Sequence, residues 1–378
     1  GMSGPVIIAA GGTGGHLFPA RALAEELLGR GRAVVAVTDR RGGDIANGLE
    51  GMPVHRLRAS ALSGRGLAGK ISGAVDLLIG TLEARRLLRR LQPSAVVGFG
   101  GYPSVPPLYA AQRLGIRTAI HEQNAVLGRA NRLLAGRVDL IATSFETTAG
   151  LDGAAASRVM LTGNPVRSEI AALHHGAYRA PNGDGRLRVL VFGGSQGARI
   201  LSQVMPAALE TLPAGARERF VLVQQCRPED VAAVAETYAR LGVAADIAPF
   251  FHDMAARLEA AQLVICRAGA STVAELSAAG RPALLVPYRF ATDDHQAANA
   301  RAAEADGAAW LMPEDAFTPE AVAARLEALV ACPRQLVEAA DAAHRRGRPA
   351  AAATLADAVE RLIPANGNHG PTIRKAAA

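Results

Sequence analysis

The same short pattern occurs twice in the chain, once near its start and once at its middle. Val6–His16 reads VIIAAGGTGGH, and Val189–Arg199 reads VLVFGGSQGAR. Each stretch is an apolar run, a pair of glycines, a small polar residue, another glycine and the start of a helical pattern. A strand that passes through a glycine-rich turn into a helix is typical of a doubly wound α/β domain. The repeat therefore predicts two such domains in tandem.

Short apolar runs alternate with helical patterns through most of the chain, which predicts parallel sheets with helices on both faces. The strands predicted in the first half are Val6–Ala10, Ala33–Thr38, Val54–Leu57, Ala95–Phe99, Thr118–His121 and Leu140–Thr143. Those predicted in the second half are Leu187–Phe192, Phe220–Gln224, Asp246–Ala248, Leu263–Cys266, Ala283–Val286 and Ala308–Leu311. We expect an α/β fold of two Rossmann-like, doubly wound parallel-sheet domains that face a cleft.

Glycine, asparagine and proline punctuate Thr162–Ile170, which predicts a hinge there. We expect a first domain at residues 1–166, completed by a C-terminal helix at about 348–364, and a second domain at 167–347. The stretch His174–Gly185 has the composition of a linker, and residues 365–378 that of a tail.

Composition excludes several classes of function. The net charge of +7 suits a phosphorylated substrate, an anionic membrane or nucleic acid, or reflects an arginine-rich proteome. Aromatic residues make up only 4% and no RNA-binding signature occurs, so nucleic acid is disfavoured. Three scattered cysteines argue against disulfides or a cysteine metal site and fit a reducing cytoplasm. No apolar stretch has the length of about 18 residues that predicts a membrane span.

The opening loop, Gly11–Gly15 followed by His16, predicts a phosphate site, because a glycine-rich turn exposes backbone amides at a helix N-terminus. It is an incomplete dinucleotide fingerprint, since Leu17 stands where the third glycine belongs, although Asp39 follows the second strand as a ribose-binding acid would. A nicotinamide or flavin enzyme and a purely structural turn are the alternatives.

Two further stretches follow predicted strands of the first half. GFGGYPSVPP (Gly98–Pro107) is a second glycine-rich loop, and two adjacent nests of amides suit a diphosphate, unless this is a simple turn. HEQN (His121–Asn124) is a polar cluster that points at the same sheet edge or is buried and hydrogen-bonded. GRGLAGKI (Gly64–Ile71) imitates a nucleotide-triphosphate loop but lacks its final Ser or Thr, and we interpret it as a flexible loop.

In the second half, Ser195 of GGSQGAR can add a hydroxyl to an anion site. CRAGASTVAEL (Cys266–Leu276) is another strand-to-helix passage, in which Glu275 can accept from both hydroxyls of a ribose or serve as a helix-dipole acid. Gln296 and Asn299 share one helix face. No Asp-x-Asp sequence occurs, which favours charge neutralisation by amides rather than by a metal ion.

Together these stretches resemble the MurG family, the GT-B glycosyltransferases that complete the lipid-linked peptidoglycan precursor. The matching pieces lie in the family's order over residues 7 to about 300 and are GGTGGHLFPA, GFGGYPSVPP, HEQNAVLGRANRLLA, TGNPVR, GGSQGAR, CRAGASTVAEL and DDHQAANA. The resemblance implies an inverting transfer of N-acetylglucosamine from UDP-N-acetylglucosamine, held by the C-terminal domain, to the 4-hydroxyl of undecaprenyl-diphosphoryl-muramoyl-pentapeptide, held by the N-terminal domain. It implies no cofactor.

The resemblance also implies roles for individual residues. The donor-binding residues are Thr13, Gly14, Gly15, Asn124, Arg167, Ser195, Phe251, Ala270, Ser271, Thr272, Val273, Ala274, Glu275 and Gln296. The acceptor-binding residues are His16, Gly100, Gly101 and Tyr102. His16 is the candidate general base, because imidazole titrates in the useful range; alternatively it only binds the acceptor diphosphate. In VQQCRPED (Val223–Asp230), Gln224 replaces an expected histidine and Arg227 an expected glycine, which puts a diphosphate role of this segment in doubt.

The segment Gly66–Arg90 sets Leu and Ile beside Arg85, Arg86, Arg89 and Arg90, and such a surface can lie on anionic lipid. An ordinary surface helix with a buried face is the alternative. The family implies a peripheral location at the cytoplasmic face of the inner membrane and association with cell-wall and division proteins. The rival functions are a GT-B enzyme with another acceptor, a UDP-N-acetylglucosamine epimerase and a non-enzymatic nucleotide-binding scaffold.

Overall fold

The computed structural model describes residues 4–12, 14–40, 45–46, 49–59, 66–151, 153–181 and 185–364. The side chains of residues 67, 68, 154 and 194–198 lie outside this description. The chain divides into two compact units. The first contains Gly1–Pro165 and Ala350–Ala378, and the second contains Val166–Pro349.

The first unit is built on a seven-stranded parallel sheet. Its strands are β1 (Val6–Ala9), β2 (Val34–Asp39), β3 (Val54–Leu57), β4 (Ala95–Gly98), β5 (Arg117–Glu122), β6 (Leu140–Thr143) and β7 (Val159–Leu161). Their order across the sheet is β3-β2-β1-β4-β5-β6-β7. The central strands β1 and β4 are apolar and fully buried, because helices cover both faces of the sheet.

The helices of this unit cover the sheet with separate apolar clusters on its two faces. They are α1 (Gly14–Gly29), α2 (Gly66–Leu91), α3 (Val105–Leu114), α4 (Arg129–Leu134) and α5 (Gly153–Ala156). Leu23 and Leu27 of α1 pack in the cluster that contains Ile8, whereas Leu87 and Leu88 of α2 pack in the one that contains Ile7. Alternate side chains of β1 therefore pack into the apolar cores on the two faces of the sheet.

The second unit is built on a six-stranded parallel sheet of order β10-β9-β8-β11-β12-β13. Its strands are β8 (Leu187–Phe192), β9 (Phe220–Gln225), β10 (Ala244–Ala248), β11 (Leu263–Cys266), β12 (Ala283–Leu285) and β13 (Ala309–Leu311). Its helices are α6 (Ser168–Ala171), α7 (Gly194–Thr211), α8 (Ala214–Arg217), α9 (Pro228–Arg240), α10 (Met254–Ala260), α11 (Ala270–Ala279), α12 (His295–Ala305), α13 (Pro319–Ala331) and α14 (Arg334–Arg346).

The last helix, α15 (Ala351–Leu362), belongs to the first unit. Leu355 and Val359 are fully buried in the same cluster as α1. Arg30, which follows α1, bonds Asp357 at 2.6 Å and Glu360 at 2.8 Å. Apolar burial and these ion pairs together hold α15 on α1.

The prediction of two parallel-sheet α/β domains is confirmed. In each sheet the order reverses beside the first strand, between β1 and β4 and between β8 and β11. Ligands of open α/β sheets bind beyond the carboxyl ends of the strands at such switch points. The glycine-rich loops after β1, β4, β8 and β11 all lie at these positions.

Three local predictions are wrong. Strand β7 was not predicted, because it is only three residues long and half-buried and therefore lacks a strong apolar run. The supposed loop Gly64–Ile71 is helical from Gly66 onward, where α2 begins, and Gly64 lies outside the described residues. The supposed linker begins inside the second unit, because the His174 ring stacks on His344 at 3.9 Å between ring centroids.

Within the described ranges, no helix is both long enough and apolar enough to cross a membrane.

Candidate active site

Three loops of the first unit meet at one edge of its sheet. They follow β1, β4 and β5, which are neighbours, since Ala9 pairs with Gly98 and Gly98 pairs with Ile120. A hydrogen bond of 3.1 Å from the Gly11 amide to the Gly100 carbonyl joins the first two loops. The edge predicted from the glycine patterns therefore exists, with the residues after β5 beside it.

The opening loop contains glycines that the local fold does not require. A Cβ atom added to Gly14 or Gly15 would meet no atom within 4 Å. Both residues are exposed at the start of α1, and neither has a positive φ. Open space beside bare backbone is what close approach of a ligand needs. Thr13 lies outside the described residues.

The second loop needs its glycines for its own shape. Gly100 has φ 92° and Gly101 has φ 74°, a region that side chains rarely adopt. A Cβ atom on Gly100 would also lie 3.0 Å from Cε1 of His16. The His16 ring thus rests against this turn, and Tyr102 follows at the start of a short 3₁₀ helix, half-buried.

His16 lies in the first turn of α1 and is half-buried. Its Nδ1 is 3.1 Å from Oε1 of Gln123, which is 107 residues away in the sequence. Among the described residues, we find no hydrogen bond to Nε2 of His16. The imidazole is therefore held through Nδ1, and its Nε2 has no partner in the described part of the chain.

The polar cluster His121–Asn124 spans the end of β5 and the loop after it, and it contains both buried residues and a residue that a ligand could reach. His121, Glu122 and Gln123 are buried and hydrogen-bonded, whereas Asn124 is half-buried. Glu122 accepts bonds from the amides of Gly128 at 2.6 Å and Asn124 at 3.2 Å, and so shapes the loop that holds Asn124. The buried residues support the edge, and Asn124 alone of the four is accessible to a ligand.

His121 is fully buried between the Gly163 carbonyl and Gln123. Burial lowers the pKa of His121 to about 4; the hydrogen bond to Gly163 partly opposes this, and the nearby His16 adds to it. The ring is consequently neutral at physiological pH.

The corresponding edge of the second unit contains the N-terminus of α11. Gly269 precedes the helix with extended backbone and no side-chain cap. The first amides of a helix lack intrahelical acceptors and favour an anion. Ala270, Ser271, Thr272 and Ala274 are half-buried here, while Val273 is buried in the core. Ser195 lies at the start of α7, and its side chain is outside the described residues.

Two predicted donor-binding residues of this unit bind each other. Nε and a terminal nitrogen of Arg167 donate to the two carboxylate oxygens of Glu275 at 3.0 and 3.2 Å. This bidentate pair links the start of α6 to α11 and joins residues 108 positions apart. Burial raises the pKa of Glu275, and the bonds from Arg167 oppose that rise. The pair presents a guanidinium and a carboxylate beside the helix N-terminus.

Gln296 and Asn299 of α12 fix the loop between β11 and α11. Oε1 of Gln296 accepts from the amides of Ala268 at 3.2 Å and Tyr288 at 2.9 Å. Nδ2 of Asn299, fully buried, donates to the Ala268 carbonyl at 3.0 Å. The helix face that Gln296 and Asn299 share therefore forms hydrogen bonds to the Ala268 backbone. The Nε2 group of Gln296 has no described partner.

Phe251 is only 6% exposed, and the guanidinium of Arg257 lies 4.8 Å from the centre of its ring. The side chain is part of the core, so that only its backbone could serve a ligand.

The two unusual residues after β9 have structural partners. Gln224 is fully buried, accepts a bond of 2.6 Å from the Tyr238 hydroxyl and donates to the Leu201 carbonyl at 3.3 Å. Arg227 pairs with Glu229 and Asp230 at 3.4 and 3.3 Å. Both side chains serve the local packing of α7 and α9.

The loops were predictable from the sequence, whereas the bond between Gln123 and His16 and the pairing of Arg167 with Glu275 were not predicted. The HEQN cluster was a signal for the first of these, whereas nothing local indicated the second. In the part of the chain that the structure describes, no group of three or more His, Cys, Asp or Glu residues could hold a metal ion.

Known proteins are similar to this chain over most of its length. Residues 6–143 match the glycosyltransferase family 28 N-terminal domain, and residues 188–362 match the family 28 C-terminal domain. A protein of Rhodospirillum centenum, named UDP-N-acetylglucosamine--N-acetylmuramyl-(pentapeptide) pyrophosphoryl-undecaprenol N-acetylglucosamine transferase, is 57% identical over 94% of this chain and 93% of its own length. A protein of the same name from Paramagnetospirillum magneticum is 52% identical over 95% of this chain and 97% of its own length.

A solved structure is also similar. The crystal structure of MurG from Acinetobacter baumannii has a TM-score of 0.80 and 31% identity, covering 95% of this chain and 99% of that one. Sequence, domain order and fold therefore agree over nearly the full length. The chain belongs to the MurG family of glycosyltransferases.

Proposed function

We propose that this chain transfers N-acetylglucosamine from UDP-N-acetylglucosamine to the 4-hydroxyl of the lipid-linked muramoyl-pentapeptide, the step that converts lipid I to lipid II. The observation that carries the proposal is the nearly full-length match, at 57% and 52% identity, to proteins named as this transferase. An epimerase or a transferase with another acceptor has no support from these relatives.

The reaction is a single displacement at the anomeric carbon of the donor sugar. The bond from the acceptor O4 to this carbon forms while its bond to UDP breaks, so that the α-linked donor gives a β-linked product. UDP leaves with the bonding electrons, and a base takes the hydroxyl proton. We assign the base to His16, because its Nε2 has no described partner and the ring lies at the edge formed by the loops after β1 and β4.

We assign the donor to the second unit. Its diphosphate would be bound by the free amides at the start of α11, together with Ser195 and Arg167, and its ribose by Glu275. Gln296 would support this site by holding the Ala268 amide. The amides of Gly14 and Gly15 with Asn124 would approach the sugar, and Gly100, Gly101 and Tyr102 the acceptor diphosphate.

The decisive experiment measures UDP release from UDP-N-acetylglucosamine with and without a short-chain analogue of the muramoyl-pentapeptide lipid. Release that depends on the analogue supports the transferase. Release from the donor alone would point to an epimerase or a hydrolase. UDP binding without release in either condition would refute the proposed activity.

We propose further that the enzyme needs neither a metal ion nor another cofactor. The sequence has no Asp-x-Asp to hold a metal-diphosphate complex, and helix amides with Arg167 supply positive charge in its place. Turnover is expected to be unchanged when a chelator is added in excess. A loss that added magnesium or manganese restores would contradict this.

We propose that α2 attaches the enzyme to the anionic cytoplasmic face of the inner membrane. Four large apolar side chains recur along one helical face and are exposed: Ile71 by 57%, Val75 by 47%, Leu78 by 62% and Leu82 by 51%. Exposed arginines follow this stripe towards the C-terminal end of the helix: Arg85, Arg86, Arg89 and Arg90. An apolar stripe beside cationic residues suits insertion between anionic headgroups. Association with cell-wall and division proteins would follow from this location.

Vesicle flotation tests the membrane proposal. The protein is expected to float with vesicles that contain phosphatidylglycerol and to stay behind with pure phosphatidylcholine. Replacing both Leu78 and Leu82 with serine, or the four arginines with serine, should reduce flotation. The control Phe290→Ser removes an apolar side chain that is 71% exposed in the second unit and should have no effect. Flotation that none of the α2 changes affects would refute the proposal.

A further inference from the structure

A chain of hydrogen bonds runs behind His16 into the core of the first unit. It begins at the Gly163 carbonyl, which lies 2.9 Å from Nε2 of His121. It continues from Nδ1 of His121 to Nε2 of Gln123 at 2.9 Å, and from Oε1 of Gln123 to Nδ1 of His16 at 3.1 Å. Because each link has a defined donor and acceptor, the chain determines which nitrogen of His16 carries a proton.

The first link fixes the tautomer of His121. A carbonyl oxygen only accepts hydrogen bonds, so Nε2 of His121 carries the hydrogen. The ring is fully buried and packs against Phe99 at 5.5 Å between ring centroids, and burial lowers the pKa of His121 to about 4. The neutral ring has only one N–H, so its Nδ1 is an acceptor.

The second link fixes the side-chain amide of Gln123. Its Nε2 faces three acceptors, namely Nδ1 of His121 at 2.9 Å, the Phe99 carbonyl at 3.1 Å and the His121 carbonyl at 3.2 Å. The reversed amide would place an oxygen against these acceptors and leave buried groups unsatisfied, which costs about 1–3 kcal/mol for each group. The amide oxygen is therefore directed at His16.

The third link places the proton on His16. Oε1 of Gln123 can only accept, so Nδ1 of His16 must donate, and the neutral ring then has its lone pair on Nε2. We infer that Gln123 is a positioning residue that holds His16 in the Nδ1–H tautomer, leaving Nε2 as the atom that takes the proton from the acceptor hydroxyl. This inference rests on the proposed function, in which His16 is the base.

The arrangement also serves the protonated state. When the hydroxyl proton moves to Nε2 of His16, Nδ1–H keeps its bond to the oxygen of Gln123, so the ring need not rotate during the reaction. Without Gln123 nothing described would select between the two tautomers, and in the Nε2–H form that nitrogen could not accept a proton.

The tautomer can be measured directly by nitrogen-15 NMR. Long-range proton–nitrogen spectra of the full chain with labelled histidine distinguish protonated from unprotonated ring nitrogens, and the His16 signals are those missing from His16→Ala. We expect a protonated Nδ1 and an unprotonated Nε2 in the neutral ring. A protonated Nε2 in the unaltered protein would overturn the inference without testing the role of His16 as the base.

The variant Gln123→Leu removes the amide at similar volume. We expect a mixture of His16 tautomers, a fall in kcat of about tenfold or more, and an unchanged KM for UDP-N-acetylglucosamine; complete loss of a base costs about 10²–10⁴-fold. Gln123→Glu retains an oxygen that accepts from His16 and should restore the Nδ1–H form. Its second carboxyl oxygen faces the acceptors that Nε2 of Gln123 satisfies, so kcat should recover only in part. The matched control is Gln112→Leu, which removes a different side-chain amide of this unit, one that is half-buried and bonded to the Leu134 carbonyl at 3.2 Å.

The outcomes separate the inference from the proposed function. If His16→Ala keeps normal turnover, the base assignment fails and the positioning role fails with it. If His16→Ala is inactive but Gln123→Leu keeps both the Nδ1–H tautomer and full kcat, only the positioning role fails.

Discussion

The two sheets end in similar glycine-rich passages, but the side chains at their edges differ in kind. In the first unit, His16, Gln123 and a neutral His121 form a chain of uncharged hydrogen bonds. In the second unit, Arg167 and Glu275 form an ion pair beside the free N-terminus of α11. An imidazole must be uncharged before it accepts a proton, whereas a diphosphate is stabilised by helix amides and a guanidinium. One architecture thus presents two edges that suit two different tasks.

The largest expected effect comes from removing the imidazole of the first edge. His16→Ala should lower kcat by about 10²–10⁴-fold, as expected for loss of a general base. The affinity for UDP, measured by calorimetry, should stay nearly unchanged, because UDP is assigned to the other unit. His55→Ala, a histidine of β3 in the same unit, is the control and should keep both values. Normal turnover of His16→Ala would exclude His16 as the base.

Removing the negative charge of Glu275, at the sheet edge of the second unit, should weaken the binding of UDP-N-acetylglucosamine. Glu275→Gln is expected to raise the KM for UDP-N-acetylglucosamine about 10- to 100-fold, because hydrogen bonds to charged groups contribute about 1.5–3 kcal/mol. The control Glu327→Gln changes an exposed carboxylate of α13 and should leave the KM unaltered. If Glu275→Gln lowered kcat with no change in KM, the assignment of this edge to donor binding would fail.

The neutral state of His121, at the sheet edge of the first unit, should be visible in the pH dependence of the free energy of unfolding. The folded protein keeps His121 unprotonated down to about pH 4, whereas in the unfolded chain the histidine has its ordinary pKa of 6.5. The unfolded state therefore holds more protons between these values, and the free energy of unfolding falls as the pH decreases through them. The contribution of His121 amounts to a loss of about 2 kcal/mol between about pH 7 and pH 5.

Urea denaturation at the two pH values checks this prediction. His121→Gln keeps a donor for the Gly163 carbonyl but does not titrate, so its pH dependence should be weaker by about the same 2 kcal/mol. His252→Gln, at an exposed position of the second unit, should keep the full dependence. An identical pH dependence in the unaltered protein and His121→Gln would show that His121 is not held neutral.

The smallest effect is expected for Gln224, at the end of β9 in the second unit. Gln224→Leu leaves the buried Tyr238 hydroxyl without its acceptor and should lower the free energy of unfolding by about 1–2 kcal/mol. The KM for UDP-N-acetylglucosamine should not change, since both side-chain groups of Gln224 bond within the core. Thr211→Val, at the end of α7, is a control for donor binding. A raised KM in Gln224→Leu alone would return this segment to the donor site.

Much of the fold was predictable, because strand and helix patterns depend on local periodicity and glycine-rich turns mark strand ends. Twelve of the described strands coincide with apolar runs that are visible in the sequence. The three-residue β7 is too short and too little buried to be distinguished from a loop. The prediction of a flexible loop at Gly64–Ile71 was wrong because glycines are typical of turns, whereas helix α2 includes both Gly66 and Gly69.

The sequence by itself determined the α/β class, the two parallel sheets and the loops that lie at their switch points. Only the tertiary structure decided which side chains meet there. Gln123 reaches His16 across 107 residues, and Arg167 reaches Glu275 across 108. Periodicity records only near neighbours along the chain, whereas a hydrogen bond is selected by the positions of donors, acceptors and excluded water in three dimensions. The proton on His16 is a property of that arrangement.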